Sequence, residues 1–384
     1  MAGLTLLSAV GATLRRHDVD VEGAALELRQ QLALPEGLQY LWPHPRRPFL
    51  YAACSDGRPG RDGGRHFACV LVRRPDGMLA LHGEPLPLPV RPVHLSVDPA
   101  GRHVVLTSPK PSRIAVHPIL DDGRLGAELP QPPMPALAKM AHQALFTPDG
   151  RRLVVPLRGN PPHDGAIEDP GAIAVFDYDD GRLAHRQTIA PEGGHGFGPR
   201  HVAFHPGRPW MYLSVERQNQ LALFRLGESI EGPVVRTSSL RSPDQLKSRQ
   251  LGGAIHVHPG GRFVYMSNRA DGTIEVGGRQ VFNDGENSIA VFAIDPGDGM
   301  PRLIQHADSH GIHPRTFHID PSGRLLVAAN MTTRVVRDGG VLREQPGGLS
   351  LFRIGSDGRL SFVRSEPADT ARDHLFWAGM VQGA

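Results

Sequence analysis

Cysteine is nearly absent. Cys54 and Cys69 are the only two among 384 residues, too few for a disulfide framework and in no zinc-ligand spacing. Their strands are expected to be neighbours, and both are expected to be free, buried thiols. Long apolar runs are missing too, and none approaches the roughly 20 residues of a membrane-spanning helix. The opening Met1–Val10 lacks a basic start and soon meets Arg15, Arg16 and His17, a poor secretory leader. A cytoplasmic location is therefore expected. No sign of charge dominates: 42 Lys and Arg face 39 Asp and Glu, and no block of like charge occurs. That balance argues against a nucleic-acid or membrane-surface partner. Helix signals are scarce, with short turns of helix expected only within Pro133–Gln143 and Pro243–Arg249. No Gly-x-Ser-x-Gly elbow and no glycine-rich phosphate loop between strand and helix is present. No His-x-x-x-His on a helix suggests a metal.

Glycine (45) and proline (36) are abundant and evenly spread, as many short strands joined by turns require. A unit repeats: an apolar strand, a Pro-x-Gly-Arg turn or variant, then a second apolar strand. Its anchoring prolines are Pro45, Pro99, Pro148, Pro206, Pro259 and Pro321, at intervals of 54, 49, 58, 53 and 62 residues. Two further strands follow in each unit, as in Ala172–Tyr178, Ser288–Ile294 and Leu349–Ile354. Six four-stranded units leave three strand-like segments before the first (Leu4–Val10, Ala12–Asp18, Leu26–Leu34) and one after the last (His374–Met380). Three plus one makes a seventh sheet that closes a ring without a free edge. The expected fold is all-β, a seven-bladed propeller of four-stranded antiparallel blades spanning residues 1–384 as one domain. Two β-sandwich domains would leave the orphan terminal strands unexplained. The longest insertions, at 133–143, 159–171, 243–249 and 270–287, are expected on one rim, at the channel mouth.

In a propeller the first strand of each blade lines the central channel. Polar residues at its start, His94, His142, Arg200, His201, His256, His313 and Arg315, are expected to converge on one end. Ser108, Arg158, Glu216, Arg269 and Asn330 close the second strands. Arginines and imidazoles around one carboxylate suit an anionic ligand, with His or Glu as general acid or base. For each of these histidines, a hydrogen bond between blades is an equal alternative. His205 and His258, before the turn prolines, are expected to cap strands on the far face. His163, Asp164, Glu168 and Asp169 are expected to face solvent, as are Arg102, Arg151, Arg262 and Arg324 after the turn glycines.

Gly198-Pro-Arg-His-Val-Ala-Phe-His-Pro206, followed by Glu216, resembles the Gly-Pro-Arg-His…His-Pro…Asn-Glu signature of the lactonase-type propellers. These are the cycloisomerase-type 6-phosphogluconolactonases and the carboxymuconate-lactonizing enzymes. The likeness continues in His142-Gln-Ala-Leu-Phe-Thr-Pro-Asp-Gly, Ala254–Arg262 with Ser267-Asn-Arg269, and His313-Pro-Arg315. Val215 departs from the family's Asn, and the loops 159–171 and 271–287 are longer than in compact bacterial members. The resemblance implies a lactonase for a small anionic lactone, most directly 6-phosphogluconolactone, with a muconate cycloisomerase or a non-catalytic binding propeller as alternatives. It implies His142, Arg200, Glu216 and Arg269 as catalytic residues, and His94, His201, His256, Arg315 and Asn330 as substrate-binding ones. No cofactor or metal is implied, and a monomer or weak homodimer is expected. The implied chemistry has arginines hold the anion while Glu216 or His142 activates water.

Overall fold

The computed structural model describes residues 3–133, 137–162, 165–247, 249–370 and 373–382. Seven antiparallel sheets stand around one axis. Blade 4 shows the plan: Pro199–Phe204 innermost, then Trp210–Val215, Gln220–Leu226 and Ile230–Ser238 outermost. Burial follows position. Every residue of Trp210–Val215 is buried, because the second strand is covered on both faces, whereas Ile230–Ser238 is mostly exposed or half-buried.

Both faces of a blade are apolar because each packs on a neighbouring blade. The core is accordingly split into seven clusters, one per interface. Between blades 4 and 5, for example, Tyr212 and Leu223 meet Ile255, Val264 and Met266. Cys54 and Cys69 lie in the cluster between blades 7 and 1, unbonded, with sulfurs 3.8 Å apart.

The ring closes as the terminal segments require. Thr5–Val10, Thr13–Asp20 and Ala25–Ala33 join the C-terminal Leu375–Val381, which is the innermost strand of blade 7. Two blades depart from four strands. In blade 2 the fourth is reduced to one bridge, Ile119 to Leu125, and in blade 1 the outer edge is split between Leu79–Leu81 and Leu86–Pro87.

The repeated His-Pro turns latch one blade to the next. His258 Nδ1 accepts from its own turn at Gly260 N (2.9 Å), while Nε2 donates to the carbonyl of Gly323 in the following blade (2.9 Å). His205 does the same toward Gly261, and His44 toward Gly101. These histidines thus do more than cap their own strands. Gly323 has φ +74°, and a Cβ there would lie 2.3 Å from His258 Nε2, so the turn needs glycine twice over. His258→Ala is expected to lower stability by about 1–2 kcal/mol in chemical denaturation; an unchanged midpoint would show that the latch carries no load.

Helix is scarcer still than expected. Among the described residues of 133–143 and 243–249 there is none; residues 134–136 and Ser248 lie outside the described ones. Among the described residues one 3-10 turn occurs, Pro191–Gly194. The insertion at 270–287 instead forms a hairpin, Thr273–Val276 with Arg279–Phe282. It pairs through Val281 and Val335 with a second hairpin, Arg334–Asp338 and Val341–Gln345, which the repeat pattern did not reveal. This small sheet spans the rim of blades 5 and 6. In the loop 159–171, Glu168 is half-buried against Arg217 (2.8 Å) and Asp169 pairs with Lys139 (3.0 Å). His163 and Asp164 lie outside the described residues.

Candidate active site

Counting from the anchoring prolines orders the channel. Ten residues after Pro148, Pro206 and Pro259 stand Arg158, Glu216 and Arg269, at matching positions in blades 3, 4 and 5. Their side chains therefore meet. Six residues before the prolines stand Gln39, Val93, His142, Arg200, Gly253 and Arg315. In blades 1, 4 and 6 this position is a β-bulge: pairing skips from Leu38 to Tyr40, from Pro199 to His201, and from Pro314 to Thr316. The extra residue, Gln39, Arg200 or Arg315, is released from the ladder and re-aimed. Phe376 is released likewise in blade 7.

His142, Arg158, Glu216, Arg269, Arg315 and Phe376 line an axial cavity of about 400 Å³, open at the mouth. At its base Glu216 is 1 % exposed. Oε2 accepts from Arg158 Nη1 at 2.6 Å, and Oε1 from Arg269 Nη2. Arg200 Nε lies 3.0 Å from Oε1 without hydrogen-bond alignment, so that contact is Coulombic. The backbone is fixed on both sides, Glu216 N donating to Gly198 O and Glu216 O accepting from Gly252 N, both at 2.7 Å. Burial alone would raise the carboxyl pKa. The charges of Arg158, Arg269 and Arg200 outweigh it and hold the group at about 2.

The three arginines differ in what they have left to offer. Every guanidinium nitrogen of Arg269 is engaged: Nε with Gly252 O, Nη1 with His313 and Nη2 with Glu216. Arg200 is 1 % exposed, its pKa brought down to about 9 by burial and then by Arg269. Arg158 is 24 % exposed, faces the cavity, and keeps Nε unpartnered.

The imidazoles sort in the same way. Arg200 Nη1 donates to His201 Nδ1 (3.2 Å) and Arg269 Nη1 to His313 Nε2 (2.8 Å), so each ring has an accepting nitrogen already used. His142 is different. Its Nδ1 is buried without a partner among the described residues, and the half-buried ring lines the cavity. Burial, then Arg200, Arg158, Arg315 and Arg269, push its pKa well below 6.5, so it is neutral near pH 7.

Not all the expected residues converge. His94 is fully buried and lines neither this cavity nor the next, its ring 4.1 Å from Tyr40 and 6.2 Å from His201. His256 faces away, into a second axial cavity of about 380 Å³ walled by Trp42, Phe204, Phe317 and Trp377. It stands three residues before its proline rather than six, and is deeper along the channel for that reason. His201, five before its proline, lines that cavity too. Asn330 donates to Ser309 O and Ser350 Oγ (both 2.9 Å) and does not reach the chamber. It stands nine residues after its proline, and side-chain alternation turns it from the face that Glu216 shares. The proline count was the signal that separates these groups.

Several chamber residues come from insertions instead. Asp271, leading into the first rim hairpin, accepts from Arg249 at 2.7 and 3.1 Å and lies 3.6 Å from His313 Nδ1. Since His313 Nε2 accepts from Arg269, its proton sits on Nδ1, toward Asp271. Arg334 begins the second hairpin, and Arg91 precedes blade 2. A larger cleft of about 720 Å³ lies on the flank beneath the hairpins, but it gathers no comparable cluster of buried charge. Among the described residues no group of three or more His, Cys, Asp or Glu could hold a metal ion, and no helix is long and apolar enough to cross a membrane.

A family model described as lactonase, 7-bladed β-propeller, matches residues 5–338. A protein of Bacillus subtilis named 6-phosphogluconolactonase is 28 % identical over 365 residues, 91 % of this chain and 89 % of that one. One of the same name from Serratia proteamaculans is 29 % identical over 311 residues, covering 80 % and 82 %. Among solved structures, a protein from Lactobacillus plantarum superposes with a TM-score of 0.73 at 20 % identity, covering 100 % of this chain and 99 % of that one. The periplasmic gluconolactonase of Pseudomonas aeruginosa superposes at 0.70, also at 20 % identity, covering 97 % and 98 %.

Proposed function

The chain belongs to the seven-bladed β-propeller lactonase family, and we propose that it hydrolyses a phosphorylated sugar lactone, 6-phosphogluconolactone, in the axial chamber. The observation that carries this reading is a neutral imidazole with a free nitrogen, His142, beside a buried Glu216–arginine cluster in a chamber where cations outnumber carboxylates. The relatives named 6-phosphogluconolactonase support the substrate.

Glu216 is the wrong group for a general base, since a carboxyl held near 2 by three guanidinium charges takes up a proton poorly. Its role in this reading is to hold Arg158, Arg200 and Arg269 together. Arg158, the most exposed of the three and the one that faces the cavity unsaturated, polarises the lactone carbonyl and stabilises the oxyanion. His142 takes a proton from water as the oxygen attacks that carbonyl carbon. The tetrahedral intermediate then collapses, the bond to the ring oxygen breaks, and His142 returns its proton to that oxygen. The product is the open-chain acid, and no step calls on a metal or a nucleotide. We place the reaction in the cytoplasm, a reading supported by the two unbonded buried thiols.

The pH profile tests the base. kcat/KM reports the free enzyme, in which the His142 pKa is depressed, so its acid limb is expected well below pH 6.5. A bound anion offsets the arginines and raises the pKa of the neighbouring imidazole. The acid limb of kcat is therefore expected at higher pH than that of kcat/KM. A kcat/KM limb at 6.5, shared by both profiles, would refute His142 as base.

Turnover of 6-phosphogluconolactone, unphosphorylated gluconolactone and muconolactones tests the function itself. Preference for the first is the expected result. Turnover of a muconolactone alone would move the protein to the cycloisomerases, and no turnover by folded protein would remove the substrate assignment.

A further inference from the structure

The cations of the chamber fall into compensated and uncompensated sets. Arg158, Arg200 and Arg269 share Glu216, and Arg249 meets Asp271, with Arg334 4.0 Å from the same carboxylate. Arg315 pairs with neither carboxylate. Released by the blade 6 bulge, its guanidinium lies 3.8 Å over the ring of Phe376, the bulged residue of blade 7. It makes no hydrogen bond or ion pair among the described residues, although it lines the cavity. Burial, then the charges of Arg200, Arg269 and Arg91, weaken its hold on its proton.

Arg91 has a neutral partner. It is 7 % exposed, and Gln39 Oε1 accepts from its Nε and Nη2 at 3.2 and 2.9 Å. Gln39 is anchored in turn by Nε2 contacts of 3.3 Å to the carbonyls of Gly37 and Gly57. The carboxylate acting on Arg91 is Asp62, exposed at the rim. An aromatic face and an amide thus orient two guanidinium groups without neutralising them. Such an arrangement leaves the free enzyme with residual repulsion that an arriving anion relieves. The other wall, blades 3 to 5, already has its carboxylate and offers His142 and Arg158.

We propose that Arg315 and Arg91, set by Phe376 and Gln39, form the subsite for the substrate's phosphate dianion, so that the lactone ring reaches from blades 6, 7 and 1 toward His142 and Arg158 on blade 3. The proposal rests on the phosphorylated-lactone reading and adds the orientation of the substrate and the residues that set its specificity. Guanidinium forks suit a tetrahedral dianion, which accepts paired hydrogen bonds from both.

The test compares wild type, Arg315→Gln, Arg315→Lys and Arg91→Gln on 6-phosphogluconolactone and unphosphorylated gluconolactone, with calorimetric titration of inorganic phosphate. Both Gln variants are expected to lower the ratio of kcat/KM, phosphorylated over unphosphorylated, by about 10²-fold. The loss should fall mainly on the KM of the phosphorylated lactone. Arg315→Lys should recover part of it, and phosphate binding should disappear in Arg315→Gln. Misfolding is not expected to obscure the result, because removing an uncompensated charge should leave the melting temperature at or above that of wild type.

If wild type prefers the phosphorylated lactone and both Gln variants keep that preference, the subsite is wrong and the function stands. Should wild type turn over no phosphorylated lactone, the function is wrong, and calorimetry decides the subsite alone. Phosphate bound by wild type and lost in Arg315→Gln would uphold it; no binding by wild type would overturn it.

Discussion

Glu216→Gln is expected to destabilise the fold by on the order of 3–5 kcal/mol and to abolish turnover. The isosteric amide keeps the volume but leaves Arg158, Arg200 and Arg269 facing one another with no counter-charge, two of them nearly inaccessible to water. Wild type gives an independent gauge of the size. A carboxyl held at about 2 instead of 4.5 corresponds to about 3 kcal/mol of stabilisation. Because the folded-state value is the lower one, that contribution is complete above pH 4.5 and is lost as pH falls toward 2. Urea unfolding of wild type between pH 6 and pH 3 should show this loss, and Glu216→Gln should start lower and lack the component. Equal stability of the two proteins at pH 7 would mean that the carboxylate does not hold the arginines.

His142→Ala is expected to do the opposite, sparing the fold and removing chemistry. The ring makes no hydrogen bond to the described residues and is uncharged near neutrality, so its loss leaves no buried charge exposed. General acid–base catalysis of this kind contributes roughly 10²–10⁴-fold, and kcat should fall by that factor while KM changes only a few-fold. His313 and His201 cannot take over, since the nitrogens that would accept a proton already accept from Arg269 and Arg200. A kcat within tenfold of wild type, with melting temperature unchanged, would pass the base to another group.

Much of this architecture is written locally. A Pro-x-Gly-Arg turn between two apolar strands can be recognised from adjacent residues, because the turn's φ demands and the strand pattern are both short-range. Six copies with unmatched strands at each end leave a closed ring as the arrangement that satisfies every edge. The meeting of Arg158, Glu216 and Arg269 follows from the same regularity, each standing ten residues after its proline in successive blades.

What went astray depended on depth and direction. His256 and His142 both sit near the start of an inner strand, yet three residues of offset put them in different cavities. Asn330 misses the chamber by one residue of alternation. The second rim hairpin, which brings in Arg334, has an exposed and half-buried pattern that only its partner hairpin explains. The bulges that release Gln39, Arg200, Arg315 and Phe376 are defined by pairing between strands.

By itself, then, the sequence determined the ring, its number of blades, its closure by the C-terminal strand, and those arginines of the channel that stand at fixed places in the repeat. Those properties rest on turn chemistry and alternation, which act over a few residues. Only the tertiary structure decided which cations are neutralised and which are left waiting for an anion, and which imidazole keeps a free nitrogen. Arg269 closes the second strand of blade 5 and Arg315 opens the first strand of blade 6, and both line the same chamber. One is saturated by a carboxylate from the neighbouring blade and the other rests on an aromatic face. That difference comes from partners on neighbouring blades, beyond the reach of any local pattern, and it is set when seven sheets close around one axis.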